Sequence, residues 1–256
     1  MSAMEGIPNF RSLCGLPAAE GAQVRPGVMY RSGHLADSTD ADRERLQELG
    51  IKTVVDLRTD GDVDSDGHDV VPDGIRHVRV PIHDDAAQGE EIRHHVFDAD
   101  MDEVRAFFGD GKAKEMCKAG SAMMVHPGPR FDSFREAFEV ITDPESWPVL
   151  WHCSAGKDRA GWTATAILLA VGTDQDTIVD HYLASNGQGL SGRTDWASPE
   201  LMELLDPLVK VLPEYVEAQF DAVETHWGGI DVLFAEGYGL GSERIDLLRT
   251  ELLEAG

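Results

Sequence analysis

The chain has 256 residues, enough for one large domain or two small ones, with 42% hydrophobic residues to fill a core and 27% charged. Its net charge of −25 argues against a nucleic-acid polymer as partner and against stable, unaided association with anionic membranes. The three cysteines, Cys14, Cys117 and Cys153, are odd in number and scattered; they form no disulfide framework, and no CxxC or Cys/His cluster suggests structural zinc. No metal and no cofactor are expected. Residues 1–10 lack a basic segment followed by an apolar run, and no stretch reaches the length of a membrane span. The expected location is the cytoplasm.

In chain order, Val28 to Arg31 reads as a strand that ends in a turn at Ser32-Gly33. Ser38-Thr39-Asp40 is a capping signal for a helix through Leu49, closed by Gly50. Ile51 to Leu57 is a buried strand running into Asp56-Leu57-Arg58. The Asp- and Gly-rich stretch Gly61 to Gly74 reads as an exposed, solvated loop, without the spacing of a calcium-binding EF-hand. Ile75 to Val80 is a further strand, and it leads to Pro81-Ile82-His83-Asp84-Asp85.

From Glu90 to Thr142 the apolar spacing becomes helical, around Ile92/Val96, Met101/Val104/Phe107/Phe108 and Phe131/Phe134/Ala137/Phe138/Ile141. The last of these is amphipathic enough to pack on a sheet. Val149 to Trp151 is a short apolar strand, and Arg159 to Val171 a helix stopped by Gly172. Thr173-Asp174 caps another helix to about Ser185, and Gly187 to Ser198 is a Gly-rich linker. Helices over Pro199–Val211, Glu214–Trp227 and Ser242–Leu253, with a shorter one near Ile230–Ala235, complete the chain.

Between the strand at 149–151 and the helix at 159 lies His152-Cys153-Ser154-Ala155-Gly156-Lys157-Asp158-Arg159. A tight loop there can turn several backbone N–H groups inward, beside the positive end of the following helix, and so hold phosphate. Such surroundings favour a thiolate at Cys153, while the planar fork of Arg159 can grip two phosphate oxygens. The Cys-x5-Arg spacing resembles the signature loop of cysteine-dependent protein tyrosine phosphatases. The fuller HCxAGKDR string is similar to the bacterial tyrosine/lipid phosphatase branch, as are Asn9-Phe10-Arg11-Ser12-Leu13 and Arg25-Pro26-Gly27 with Tyr30-Arg31-Ser32-Gly33.

The resemblance implies a single α/β domain over residues 1–256: a mostly parallel sheet of about four to five strands flanked by helices. Residues of about 90–129 would form a helical insertion, either a lid over the active site or an ordinary crossover, and about 198–256 a C-terminal helical cover. It also implies phosphomonoester hydrolysis without metal, with Cys153 as nucleophile and Arg159 on the phosphate. Ser154, Ala155, Gly156, Lys157 and Ala160 would complete the phosphate loop, with Lys157 adding charge at the rim for strongly anionic substrates. Asp158 is the first choice for general acid and Asp84 the second. Arg31 and Arg58 are candidates for the pocket rim, whereas Arg11 reads as surface. His152 would orient the loop. Relatives of this type can be exported without an obvious signal.

This chain departs from the family pattern in places. Ala160 stands where many relatives have a hydroxyl after the arginine, so relief of the thiolate would pass to Thr163 or Ser154. Asp62 is at best a substitute for a glutamate that often follows Asp-Leu-Arg. His181 replaces an aspartate in His181-Tyr182-Leu183-Ala184-Ser185-Asn186 and reads as structural. Substrates left open are phosphotyrosine, phosphoinositides and small phosphorylated metabolites or nucleotides. A phosphate-binding pseudo-phosphatase and a rhodanese-type sulfur transferase are the competing classes.

Overall fold

The computed structural model describes residues 4–83, 91–92, 94–96, 99–188 and 198–256. Its centre is a sheet of β1 (Arg11–Ser12), β3 (Met29–Ser32), β6 (Val149–His152), β4 (Thr53–Asp56) and β5 (Arg76–Arg79), in the order β1-β3-β6-β4-β5. Only β1 runs antiparallel to its neighbour. All residues of β3, β4 and β6 are buried, as expected for parallel strands covered on both faces. Side chains alternate across the sheet. Tyr30, Val54 and Leu150 face one apolar cluster, with Leu46 of α1 (Asp40–Glu48), whereas Met29, Val55 and Trp151 face the larger one.

The larger cluster is built on α5 (Pro129–Ile141) and α6 (Arg159–Ala170). Helix α6 is apolar almost all round, so only a fully enclosed position suits it. The sheet covers one side; α7 (Gln175–Leu183), α9 (Pro213–Trp227) and α10 (Ser242–Leu252) pack against the rest. Trp162 of α6 donates its indole N–H to Tyr238 Oη at 3.1 Å, which satisfies the one polar atom of that buried ring. The amphipathic spacing predicted for the helix at 129–141 is observed, with Phe131, Phe134, Ala137, Phe138 and Ile141 all buried. A separate cluster joins α3 (Met101–Phe108) and α4 (Lys112–Ala122) to α8 (Pro199–Val209) through Val104, Phe108, Ala113 and Leu205.

Two features differ from the sequence reading. Residues Asp60–Asp66 form a helix, α2, where a solvated loop is predicted. Its start is a capping box in which Thr59 and Asp62 satisfy each other's backbone N–H groups. The side chains of Asp66 and Asp69 turn inward, being 3% and 0% exposed. A small second sheet, β2 (Ala22–Val24) with β7 (Leu253–Ala255), ties the two ends of the chain together; strands this short leave no periodic trace. Among the described residues no helix is long and apolar enough to cross a membrane.

The register decides where function sits. Ser32 and Asp56 both lie opposite His152, so the carboxyl ends of β3, β4 and β6 finish level. That edge of an open parallel sheet is where ligands bind.

Candidate active site

Cys153 follows directly on β6 and is 3% exposed. The loop from Ser154 to Asp158 is gripped from outside through its carbonyl oxygens. Asn9 Nδ2 donates to Ala155 O at 3.1 Å and Gly156 O at 2.9 Å. Arg31 Nη2 donates to Gly156 O at 2.6 Å and Lys157 O at 3.1 Å, and the His34 amide donates to Ser154 O at 3.1 Å. In a planar trans peptide the N–H opposes the C=O, so carbonyls drawn outward leave amides facing the bowl. Among the described residues no backbone carbonyl accepts from the amides of residues 154–158. Gly156 has φ +71, and a Cβ there would lie 2.4 Å from the Ser32 carbonyl group; both facts require glycine.

Arg159 opens α6 and is 9% exposed. Its Nη1 lies 2.7 Å from Asp62 Oδ2 and donates to Leu57 O at 3.4 Å, which holds the guanidinium in place. Burial alone would raise the Asp62 pKa, but the charge and hydrogen bond of Arg159, with those of Thr59, bring it down to about 2. Asp158 occupies the N-cap of α6 without a capping bond. Its side chain is 43% exposed, 3.7 Å from Lys157 Nζ.

Behind the loop is a buried charged cluster. His152 Nε2 lies 3.1 Å from Asp69 Oδ2 and 3.8 Å from Asp56 Oδ1. Arg58, 0% exposed, reaches Asp56 at 3.0 Å and Asp69 at 2.9 Å. Burial opposes ionisation of Asp69, yet His152, His77 and Arg58 hold its carboxyl far below the usual range. Beside the loop opens a cavity of about 240 Å³, lined by Met116, Met124, Leu208 and Tyr215 together with Arg130, Lys157, Asp158 and Lys210.

Comparison with known proteins places this geometry. Residues 2–254 match the model of the tyrosine phosphatase family. The chain belongs to the tyrosine phosphatase family. A protein of Cupriavidus necator named as a tyrosine-protein phosphatase is 32% identical over 239 residues, 90% of this chain and 81% of that protein. The triple specificity protein phosphatase PtpB of Mycobacterium tuberculosis is 28% identical over 98% of both chains. The catalytic core of the PP-IP phosphatase SIW14 of S. cerevisiae is a weaker likeness, 15% identical with a TM-score of 0.40 over 80% of this chain and 94% of that one.

Within this tyrosine phosphatase the structure brings Cys153, Ser154, Ala155, Gly156, Lys157, Asp158 and Arg159 into one bowl. Several expectations need correction. Ala160 does not line it: the residue is fully buried and its carbonyl accepts from the Trp151 indole at 3.1 Å. Arg31 and Arg58 are not at the rim, since both are 0% exposed; Arg31 braces the loop from beneath and Arg58 neutralises buried carboxylates. Lys157 does not reach outward. It is 9% exposed, and its Nζ donates to Leu208 O and, at 3.3 Å, to Val209 O at the carboxyl end of α8. Asp84, the second choice for general acid, lies outside the described residues, as does Asp85.

Arg11 is not a solvated surface residue. It pairs across the strands with Arg31 and donates to His181 O at 3.1 Å and Ser185 Oγ at 2.8 Å. Burial, then the charges of Arg31 and Arg11, hold the His181 pKa well below its usual value, so the ring is neutral and structural, as the sequence reading has it. Thr163 cannot relieve the thiolate, because its hydroxyl donates to Arg159 O at 3.0 Å inside the helix. Ser154 Oγ is buried and has no hydrogen-bond partner among the described residues. Asn9 and His34 were missed as loop-bracing groups. The Asn9-Phe10-Arg11 string carries a trace of the first; nothing local signals the second.

Proposed function

We propose that this member of the tyrosine phosphatase family hydrolyses phosphate monoesters without metal, through a cysteinyl-phosphate on Cys153, and that aryl esters such as phosphotyrosine are its preferred substrates. The thiolate of Cys153 attacks phosphorus, an S–P bond forms and the ester O–P bond breaks. Asp158 gives its proton to the departing oxygen, and as carboxylate then takes one from water. That water attacks phosphorus, and thiolate and inorganic phosphate leave. The loop amides and Arg159 hold the equatorial oxygens through both steps.

The reading is supported by Cys153, buried directly after β6 at the head of a loop whose carbonyls are held outward, and by Arg159, whose guanidinium is paired with Asp62. The substrate preference rests on the cavity of about 240 Å³, whose apolar wall of Met116, Met124, Leu208 and Tyr215 meets Asp158 where a leaving group would sit. Helix α4, in the region 90–129, lines this cavity through Met116, Cys117, Gly120 and Ser121, opposite Pro207 and Leu208 of α8 and Tyr215 of α9. The net charge of −25 argues against a polyphosphorylated lipid in an anionic membrane. The reaction needs a reduced thiol, which supports a cytoplasmic location, with export as the alternative.

The test is phosphate release in EDTA from phosphotyrosine and phosphoserine peptides, phosphoinositides, nucleoside monophosphates and an activated aryl phosphate. A relative named for triple specificity makes the breadth of this panel necessary. Highest kcat/KM on the phosphotyrosine peptide, abolished by Cys153→Ser, is expected. Preference for nucleotides would replace the substrate assignment, and binding without turnover on every member would replace the enzyme reading with a pseudo-phosphatase.

A further inference from the structure

The charged cluster behind the loop brings two carboxylates and two imidazoles together. Asp69 Oδ1 accepts from the Leu35 amide at 2.8 Å and faces Arg58 Nη2 at 2.9 Å. Its other oxygen, Oδ2, lies 3.1 Å from His152 Nε2 and 3.2 Å from His77 Nε2. These distances would suit hydrogen bonds, yet among the described residues neither Asp69 Oδ2 nor His152 Nε2 has a hydrogen-bond partner, although both side chains are 0% exposed. Buried polar atoms left in that state call for an explanation.

A tetrahedral zinc ion supplies it. Metal–ligand distances near 2.0–2.2 Å place neighbouring ligand atoms about 3.3 Å apart. Three of the six spacings among the candidate ligand atoms are 3.1, 3.2 and 3.8 Å, and one atom from each of Asp56, Asp69, His77 and His152 lies within 4.8 Å of the others. We propose that His77, His152 and Asp69 form a structural zinc site behind the nucleophile loop, with Asp56 Oδ1 or a water molecule in the fourth position. Two imidazoles and a carboxylate suit zinc in donor type. Asp56 is the weaker ligand, because Arg58 occupies it at both oxygens, at 3.0 and 3.1 Å. Those bonds, and the Leu35 and Arg58 contacts of Asp69, would act as the outer layer that orients ligating carboxylates.

The placement gives the site a purpose and a path. His77 is on β5 at the sheet edge, and its side chain is 31% exposed, so an ion can enter from solvent. Bound there, it would tie β4, β5 and β6 together with the segment around Asp69, immediately before Cys153. It would hold the loop and take no part in the reaction. The ligands are spread over residues 56 to 152, which is why the sequence shows no metal-binding spacing.

The test uses the full chain carrying Cys153→Ser, which removes the nucleophile as a rival ligand, with Co²⁺ as a spectroscopic probe. One Co²⁺ per chain is expected, with the visible absorption of a four-coordinate site and displacement by Zn²⁺. Adding His77→Asn should weaken binding more than about tenfold. Adding His77→Cys instead should keep the ion and create a thiolate-to-cobalt band absent from the parent. Cobalt binding that is missing in the parent, indifferent to His77→Asn, or without the new band in His77→Cys would overturn the site. None of these readouts depends on phosphatase turnover.

Discussion

The pairing of Asp62 with Arg159 should be the contact on which catalysis most depends outside the loop itself. Asp62→Asn keeps the shape of the side chain and removes its charge. In the folded chain the Asp62 pKa falls from 3.8 to about 2, which corresponds to about 2 kcal/mol of preference for the ionised, paired state. If that preference is what keeps Arg159 aimed at the equatorial oxygens, its loss lowers kcat/KM about thirtyfold. Because the folded pKa is depressed, the stability Asp62 contributes is complete above about pH 4 and is lost as pH falls towards 2. The urea-unfolding difference between wild type and Asp62→Asn should therefore be constant from about pH 5 to pH 8. Asp62 also belongs to the capping box of α2, so a control is needed. Thr59→Ala removes a cap worth about 1 kcal/mol but leaves the ion pair, and should keep kcat/KM within about threefold. Continuous assay of an aryl phosphate reads both. An Asp62→Asn enzyme as active as wild type, or a Thr59→Ala enzyme equally crippled, would refute the reasoning.

Other outcomes follow from the same geometry. Asp158→Asn should slow phosphoester cleavage about 10²–10⁴-fold for substrates with a basic leaving group and leave an activated aryl ester nearly unaffected, measured as kcat across a leaving-group series. Ser154→Ala should slow breakdown of the phosphoenzyme, visible as a larger burst, whereas Thr163→Val should alter stability only; the reverse assignment would show that Thr163 leaves its bond to Arg159 O. Arg58→Met leaves Asp56 and Asp69 buried without their cation and should cost about 3–5 kcal/mol in urea unfolding in EDTA. Removing metal with EDTA should lower the melting temperature of zinc-loaded protein while kcat of the folded enzyme persists.

What the sequence reveals follows physical lines. The strands around Val54 and Leu150 were legible because a doubly covered parallel strand must be continuously apolar. The nucleophile loop was legible because its chemistry lies within eight consecutive residues. Helix α2 was obscured by a composition of aspartate and glycine, although Thr59 and Asp62 stand at capping spacing. The rim expectation for Arg31 and Arg58 rests on the family resemblance and their places at strand ends, and the sequence alone carries no sign of their burial. Their burial depends on partners remote in the chain, at Gly156 and at Asp56 and Asp69. Lys157 was misjudged for the same reason, since the carbonyls it serves belong to a helix some fifty residues later, at separations of 51 and 52.

The central claim, a covalent phosphate on Cys153, is tested most directly by trapping it. Enzyme mixed with excess aryl phosphate and quenched with denaturant within a turnover should carry one phosphoryl group on the peptide containing Cys153, absent from Cys153→Ser. Turnover at full rate with no phosphate on that peptide, or phosphate on a different residue, would contradict the account.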